Sequence, residues 1–314
     1  MTTIVAATSD EADSPPPRPR RERLLAFAAF VAICAIWGTT FLAIRVAIET
    51  IPTLYLTGVR FTAAGLILLF IAALRGQPMP RRAVEWGQEA VTGILLFSLA
   101  NGAVVWAEHS ITSGLAALLA ATVPLWMALL ERFGKRSGRE RLTSGRVAGL
   151  IVGFCGVAAV VSPALATPHA ENGLILGVLA MQFYAVTWNL GTLRAKYSPS
   201  GLSSTVAPAL QMLLGGLLTL VAGMVTTAWQ WSYLTLRSGL SLAYLTLFGS
   251  VIAFSAYHYA LRVLSPGKLT LYAYFQPAVG AIAGVLVLKE PITIPMLVGM
   301  VLILGGVTLA RRSA

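Results

Sequence analysis

Glu140-Arg141-Leu142-Thr143, followed by Gly149, Gly156 and Val157, returns 150 residues later as Glu290-Pro291-Ile292-Thr293, followed by Gly299, Gly306 and Val307. Identity at five of these seven positions, at one constant spacing, marks an internal duplication. Further pairs lie outward from this one. Trp37 with the polar pair Thr39-Thr40 recurs 151 residues on as Trp188-Asn189, and Ser113-Gly114 with Pro124 recurs 153 residues on as Gly267 with Pro277. The register between the copies drifts only at the basic loop of the first copy, around residues 132–146.

Both copies are strongly apolar. The 314-residue chain is 57% hydrophobic and 11% charged, with a mean hydropathy of +0.77. A soluble domain carries about 25% charged residues, so the composition excludes an ordinary cytoplasmic enzyme and indicates an integral membrane protein. Continuous apolar runs fall at about 24–44, 53–74, 88–107, 114–131, 146–163, 173–193, 204–228, 239–261, 267–288 and 292–310. Each approximates the roughly 20 residues of a membrane-crossing helix, and none shows the period-two alternation of an outer-membrane barrel. Ten runs make five per copy, an odd number, so the second copy enters the membrane from the opposite face. The expected fold is an all-α integral membrane protein of ten transmembrane helices in two inverted five-helix repeats. The expected organisation is a disordered cytoplasmic tail at 1–23, a first repeat at 24–165, an extracytoplasmic linker at 166–172 and a second repeat at 173–314.

The net charge of +11 does not signal nucleic-acid binding, because the charges flank spans rather than line a face. Of the 23 lysines and arginines, only Arg45, Arg237 and Lys289 flank the far side of the membrane and only Arg60 lies inside a span. Nineteen therefore sit on the side of the tail, which places both termini in the cytoplasm of a bacterial-type inner membrane. The tail, with Asp10, Glu11, Asp13 and the proline-rich run from Ser14 to Arg23, has no large apolar run to bury. The span-length run that opens at Leu24 and holds Trp37 is no signal-peptide core, so no cleavage is expected. Cys34 and Cys155 lie deep in apolar runs and read as small packing residues.

Polar groups within the spans point to function. Gly149, Gly153, Gly156, Gly299, Gly305 and Gly306 read as close-packing positions of a scaffold formed by spans 5 and 10. Pro124 and Pro277 are repeat mates near the middle of spans 4 and 9, where each removes a helix hydrogen bond and favours a cavity wall. Thr39, Thr40, Asn101, Gln182, Asn189, Gln211 and Gln276 lie at mid-depth with Trp37, Trp106, Trp126, Tyr184, Trp188, Tyr257, Tyr272 and Tyr274 near them. Exposing such groups to hydrocarbon costs about 1 kcal/mol or more each, so they predict an uncharged, aromatic-rich, hydrogen-bonding cavity. His258, four residues before Arg262, reads as an interfacial histidine. Arg60 lies roughly 10 Å below the far surface by helix rise and needs a partner. Glu108 is the expected one, with Arg45 and His109 as neighbours.

These stretches resemble the EamA branch of the drug/metabolite transporter superfamily. In the first half the likeness rests on Trp37-Gly38-Thr39-Thr40-Phe41, Gly58-Val59-Arg60-Phe61, Asn101-Gly102, Ala107-Glu108-His109 with Ser113 to Ala117, Thr122-Val123-Pro124-Leu125 and Glu140-Arg141-Leu142. In the second it rests on Phe248-Gly249-Ser250, Ser265-Pro266, Tyr272-Ala273-Tyr274 with Pro277, and Glu290-Pro291-Ile292-Thr293 with Gly299 and Gly306. The resemblance covers residues 24 to 311. It implies a transporter of two inverted five-helix halves, working by alternating access through a central cavity walled by spans 1, 3, 4, 6, 8 and 9. Many relatives export amino acids or other small metabolites. The second half departs from the first: Gln211 stands at the repeat position of Arg60, and Leu261-Arg262 at that of Glu108-His109.

The expected function is export of small metabolites, amino acids foremost and aromatic or hydrophobic ones among them, by a secondary transporter or facilitator. Expected substrate contacts are Trp37, Thr40, Asn101, Trp126, Gln182, Trp188, Asn189, Tyr257, Tyr272 and Gln276, with Arg60, Glu108, His109, Pro124 and Pro277 in structural or gating roles. The expected partners are a small-molecule substrate and the lipid bilayer; protons are a candidate, and proton coupling and facilitated diffusion stand as open alternatives. No cofactor, metal or catalytic residue is expected. A nucleotide-sugar carrier on the same fold is the alternative, but it calls for several midplane basic residues, and only Arg60 is there. An intramembrane enzyme would need paired aspartates, a metal cluster or a nucleophile with its base, and no aspartate follows Asp13. ATP coupling is excluded by the lack of a Walker A sequence.

Overall fold

The computed structural model describes residues 19–133, 143–166 and 172–312. Ten helical spans follow in order: α1 (Arg20–Ala47), α2 (Thr53–Leu74), α3 (Ala83–Ala107), α4 (Ser113–Arg132), α5 (Ser144–Ala166), α6 (Gly173–Tyr197), α7 (Val206–Thr226), α8 (Leu236–Val263), α9 (Pro266–Leu288) and α10 (Ile294–Arg312). Eight of these are long and apolar enough to cross a membrane, and α5 and α10 contain the shorter apolar stretches Ser144–Val160 and Ile294–Ala310. No strand occurs among the described residues. This is the ten-helix architecture that the duplicated pattern predicts. Residues 1–18 of the tail, residues 167–171 of the linker, and Lys135, Arg136, Arg139, Glu140, Arg141 and Leu142 lie outside the described residues.

The starts of α1 and α3 run ahead of the apolar runs, because hydropathy marks the lipid-facing part of a helix and capping marks its end. α1 opens at Arg20, directly after Pro19. The start of α3 lies at Ala83, where the Glu85 carboxylate accepts from the backbone N–H of Arg81 at 2.9 Å and of Arg82 at 3.2 Å. Free amides of a first turn are satisfied by such a carboxylate, which also favours the positive end of the helix dipole.

Repeat mates pack on one another in two peripheral pairs, α2 with α7 and α5 with α10. Small residues let the backbones meet. A Cβ placed on Gly216 would lie 2.4 Å from the Thr62 amide nitrogen, and one on Gly306 would lie 2.4 Å from that of Gly153. The remaining spans surround a core in which Trp37, Phe61, Phe97, Tyr184, Trp188, Phe254, Tyr257 and Tyr272 are buried together.

Four of the inner spans are irregular, and the irregularities come in mates. α3 widens into a π turn at Ile94–Ala100, and α8 does so at Leu247–Ile252. α4 is interrupted at Ala121-Thr122, between Ser113–Ala120 and Val123–Phe133, and α9 passes through a 3-10 turn at Thr270–Tyr274 before resuming at Gln276–Ala283. After each break the helix resumes with a proline in its first turn, Pro124 in Val123–Phe133 and Pro277 in Gln276–Ala283. Proline donates no backbone hydrogen bond, which is tolerated in the first turn of a helix, where the amide has no partner within the helix. Irregular backbone is tolerated at membrane depth where protein or a cavity, rather than lipid, faces it.

Candidate functional site

Trp37, in the middle of α1, is the hub of the core. Its ring lies edge-on to Trp188 at 5.4 Å, Phe254 at 4.8 Å and Tyr272 at 4.9 Å, with Tyr257 tilted at 5.3 Å. Trp37 and Trp188, mates in the duplicated sequence, thus meet at the junction of the two halves. The indole Nε1 of Trp37 donates to the Gly249 carbonyl at 3.1 Å. That carbonyl belongs to the π turn of α8, where the widened ladder presents it inward.

Beside this cluster is a central void lined by Trp37, Thr40, Arg60, Asn101, Trp188 and Gln276, among others. Its volume of ≈ 30 Å³ is that of about one water molecule, so the centre is closed in this conformation. Five of the expected substrate contacts, Trp37, Thr40, Asn101, Trp188 and Gln276, share this wall. Asn101 is held in it by its own amide, which donates to the Leu96 carbonyl at 2.7 Å across the π turn of α3. Tyr257 and Tyr272 pack on Trp37 outside the void's wall, their rings 6.2 Å apart, with the Tyr257 hydroxyl 2.6 Å from Thr192 Oγ1. Trp126, Gln182 and Asn189 are engaged elsewhere. Trp126 Nε1 donates to Gln182 Oε1 at 2.9 Å, bridging α4 and α6, and the Asn189 amide donates to the Val123 carbonyl at 2.8 Å beside the α4 break. These three brace the interrupted helix outside the void's wall.

Arg60 is 2% exposed and has a different partner from the expected one. Its Nε donates to Ser250 Oγ at 2.8 Å and its Nη2 to the Gly249 carbonyl at 3.3 Å, both in the π turn of α8. Glu108 is fully buried, and neither of its carboxylate oxygens has a hydrogen-bond partner. Arg60 thus docks on the second repeat by its hydrogen bonds, while Glu108 remains its electrostatic neighbour, together with Arg45, without a direct hydrogen bond. Sequence inspection for acids could not find a partner that is a backbone carbonyl; the Phe248-Gly249-Ser250 stretch was its one visible sign.

Both ends of the inner bundle carry the same contact. The Arg45 guanidinium donates to the backbone carbonyl of Glu108, and Lys196 Nζ donates to that of Leu261 at 2.6 Å. Arg45 and Lys196 are 151 residues apart, and Glu108 and Leu261 are 153 apart, which makes the two contacts repeat mates. On the Arg45 side, His109 Nε2 lies 3.0 Å from Thr53 Oγ1. There too the Glu290 carboxylate caps the start of α4, accepting from Ser113 N at 2.9 Å, Ser113 Oγ at 2.9 Å and Gly114 N at 3.0 Å. This gives Glu290, in the second copy of the acidic motif, a physical role: a carboxylate on a helix N-terminus.

The EamA-like transporter family model matches the chain twice, at residues 24–162 and 172–312. The chain belongs to the EamA-like transporter family. Among similar members, a protein of Escherichia coli (strain K12) described as the uncharacterized inner membrane transporter YedA is 34% identical over 268 residues, covering 84% of this chain and 83% of that one. The uncharacterized transporter YvbV of Bacillus subtilis (strain 168) is 27% identical over 298 residues, covering 95% and 93%. A solved crystal structure superposes with a TM-score of 0.65 at 20% identity, covering 92% of this chain and 97% of that one, and shows the same fold. Family membership makes this chain a membrane transporter.

Proposed function

We propose that this EamA-like protein is an inner-membrane exporter of small amphipathic metabolites, amino acids foremost, acting by alternating access through the central void. The supporting observation is an unsatisfied polar atom where the two halves meet. Gln276 Oε1, buried in the wall of the void, has no hydrogen-bond partner among the described residues, while the neighbouring Trp188 indole interacts with the Tyr257 hydroxyl. Buried polar atoms are nearly always paired, and an unpaired acceptor beside a stacking surface suits a bound metabolite. Arg60 is the one basic residue in that wall, which does not serve the two phosphates of a nucleotide sugar. The void must widen about ten-fold to hold a metabolite, since small-molecule sites span about 300–1,000 Å³. The breaks in α4 and α9 supply the hinge positions for such a change.

The test is efflux of a mixed amino acid panel from loaded proteoliposomes, with and without a pH gradient. Wild-type protein exports members of the panel, and Trp37→Ala or Trp188→Ala reduces that flux by about ten-fold or more, the equivalent of one lost aromatic contact. Unchanged flux in correctly inserted variants overturns the site. An effect of the gradient on rate decides between proton coupling and facilitated diffusion.

A further inference from the structure

A larger cavity lies at the N-terminal face between α3, α6, α7 and α8. Its volume is ≈ 360 Å³, within the range of small-molecule sites. Only one turn of α8 divides it from the centre: His258 lines the cavity, while its neighbour Tyr257 packs on Trp37. Glu89 lines it as well, 4% exposed, with its carboxylate accepting from Ser200 and, at 2.5 Å, from Gln211 Nε2. Two polar atoms in the cavity wall have no partner among the described residues: Gln211 Oε1, on a side chain 3% exposed beside this carboxylate, and His258 Nε2, on one 7% exposed near Arg262. Gln211 Oε1 is an acceptor, and His258 Nε2 accepts in the tautomer protonated at Nδ1. The unused capacity beside Glu89 is thus for a donor, next to a negative charge.

The mouth carries the opposite sign. Arg262 donates to the Leu202 carbonyl at 2.8 Å, and Lys196 donates to the Leu261 and Leu264 carbonyls, so both cations are positioned by backbone. Arg194 is not part of this mouth; it stands near Glu89 and offsets part of that charge. The wall between the two poles includes apolar groups of Leu261 and Pro208. A buried acid with a free acceptor at one end, fixed cations at the other and an apolar wall between them match a molecule with an ammonium group, a carboxylate and an apolar side chain.

We propose that this cavity is a first binding site for zwitterionic metabolites on their way to the central void. The ammonium group is held by Glu89 and Gln211 Oε1, and the carboxylate faces Arg262 and Lys196. The proposal rests on the exporter reading above and adds a second site to it, set apart from the first by the turn of α8 that holds Tyr257 and His258.

The experiment uses the full-length protein in nanodiscs carrying Trp188→Ala, which disables the central site. Binding of L-phenylalanine is compared with N-acetyl-L-phenylalanine, which lacks the ammonium group, and with phenethylamine, which lacks the carboxylate. Phenylalanine is expected to bind about ten-fold or more tightly than either analogue, the equivalent of one charged hydrogen bond. Adding Glu89→Gln, which keeps the shape and the acceptor for Gln211, removes that advantage over N-acetyl-L-phenylalanine. Equal binding of phenylalanine and its N-acetyl derivative overturns the proposal, and so does a preference that survives Glu89→Gln. If Glu89→Gln does not fold, the comparison of the three ligands on the Trp188→Ala protein still decides. Amino acid efflux by the wild type with no such preference sinks the cavity site alone, whereas absence of efflux for the whole panel sinks the exporter reading and this site with it.

Discussion

Arg60 meets a hydroxyl and a carbonyl of one π turn through two nitrogens of a planar fork. A lysine offers a single nitrogen and cannot span both acceptors, so Arg60→Lys is expected to destabilise the protein by about 1.5–3 kcal/mol, read as a lowered unfolding midpoint in detergent. Glu108→Gln is expected to cost well under the about 3–5 kcal/mol of breaking a buried ion pair, because the carboxylate makes no hydrogen bond. A larger loss for Glu108→Gln than for Arg60→Lys would restore the acid as the partner of Arg60. The position of Arg60 was legible in the sequence, and so was its need for a partner. The partner was not, because a carbonyl turned inward by a π turn carries no side-chain signature.

Among the elements, the glycines of α5 and α10 mark a contact between backbones. An added side chain at Gly306 would meet the Gly153 nitrogen at 2.4 Å and the Gly149 oxygen at 2.5 Å, and backbone cannot swing aside as a side chain can. Gly306→Val is therefore expected to lower the folded yield and to cost about 1–3 kcal/mol by overpacking. At the adjacent Gly305, an added Cβ meets nothing within 4 Å, so Gly305→Ala is expected to leave yield unchanged or raise it. Equal yields for the two variants would remove the close approach as the reason for glycine. The scaffold role of these spans was legible because small residues at helical spacing have one common use in membranes. The π turns of α3 and α8 were not, since their residues, Ile94–Ala100 and Leu247–Ile252, read as ordinary apolar helix.

Across the whole molecule, inverted symmetry puts a cation-to-carbonyl contact at each end of the inner bundle, Arg45 to Glu108 and Lys196 to Leu261. Both are formed here, in keeping with a central void of ≈ 30 Å³. Orientation is a separate question, carried by the basic residues. With the N-terminal face in the cytoplasm, Ser232→Cys on the connection before α8 is expected to react with a membrane-impermeant maleimide in intact cells, and Arg81→Cys before α3 only after permeabilisation. The reverse pattern would invert the topology.

Span number, duplication and inversion were determined by sequence alone, because each depends on hydropathy, charge count and parity, which are properties of the chain read in order. Trp37 and Trp188 were identifiable as mates in the same way. That they touch at 5.4 Å, while Trp126, Gln182 and Asn189 turn away to brace the α4 break, depended on helix rotation about the bundle axis. Residues all around a buried span are apolar or weakly polar, so no stripe in the sequence reports that rotation. The same holds for Glu89, at the start of the third apolar run: only the packing of α3 against α6 and α7 closed a cavity around it.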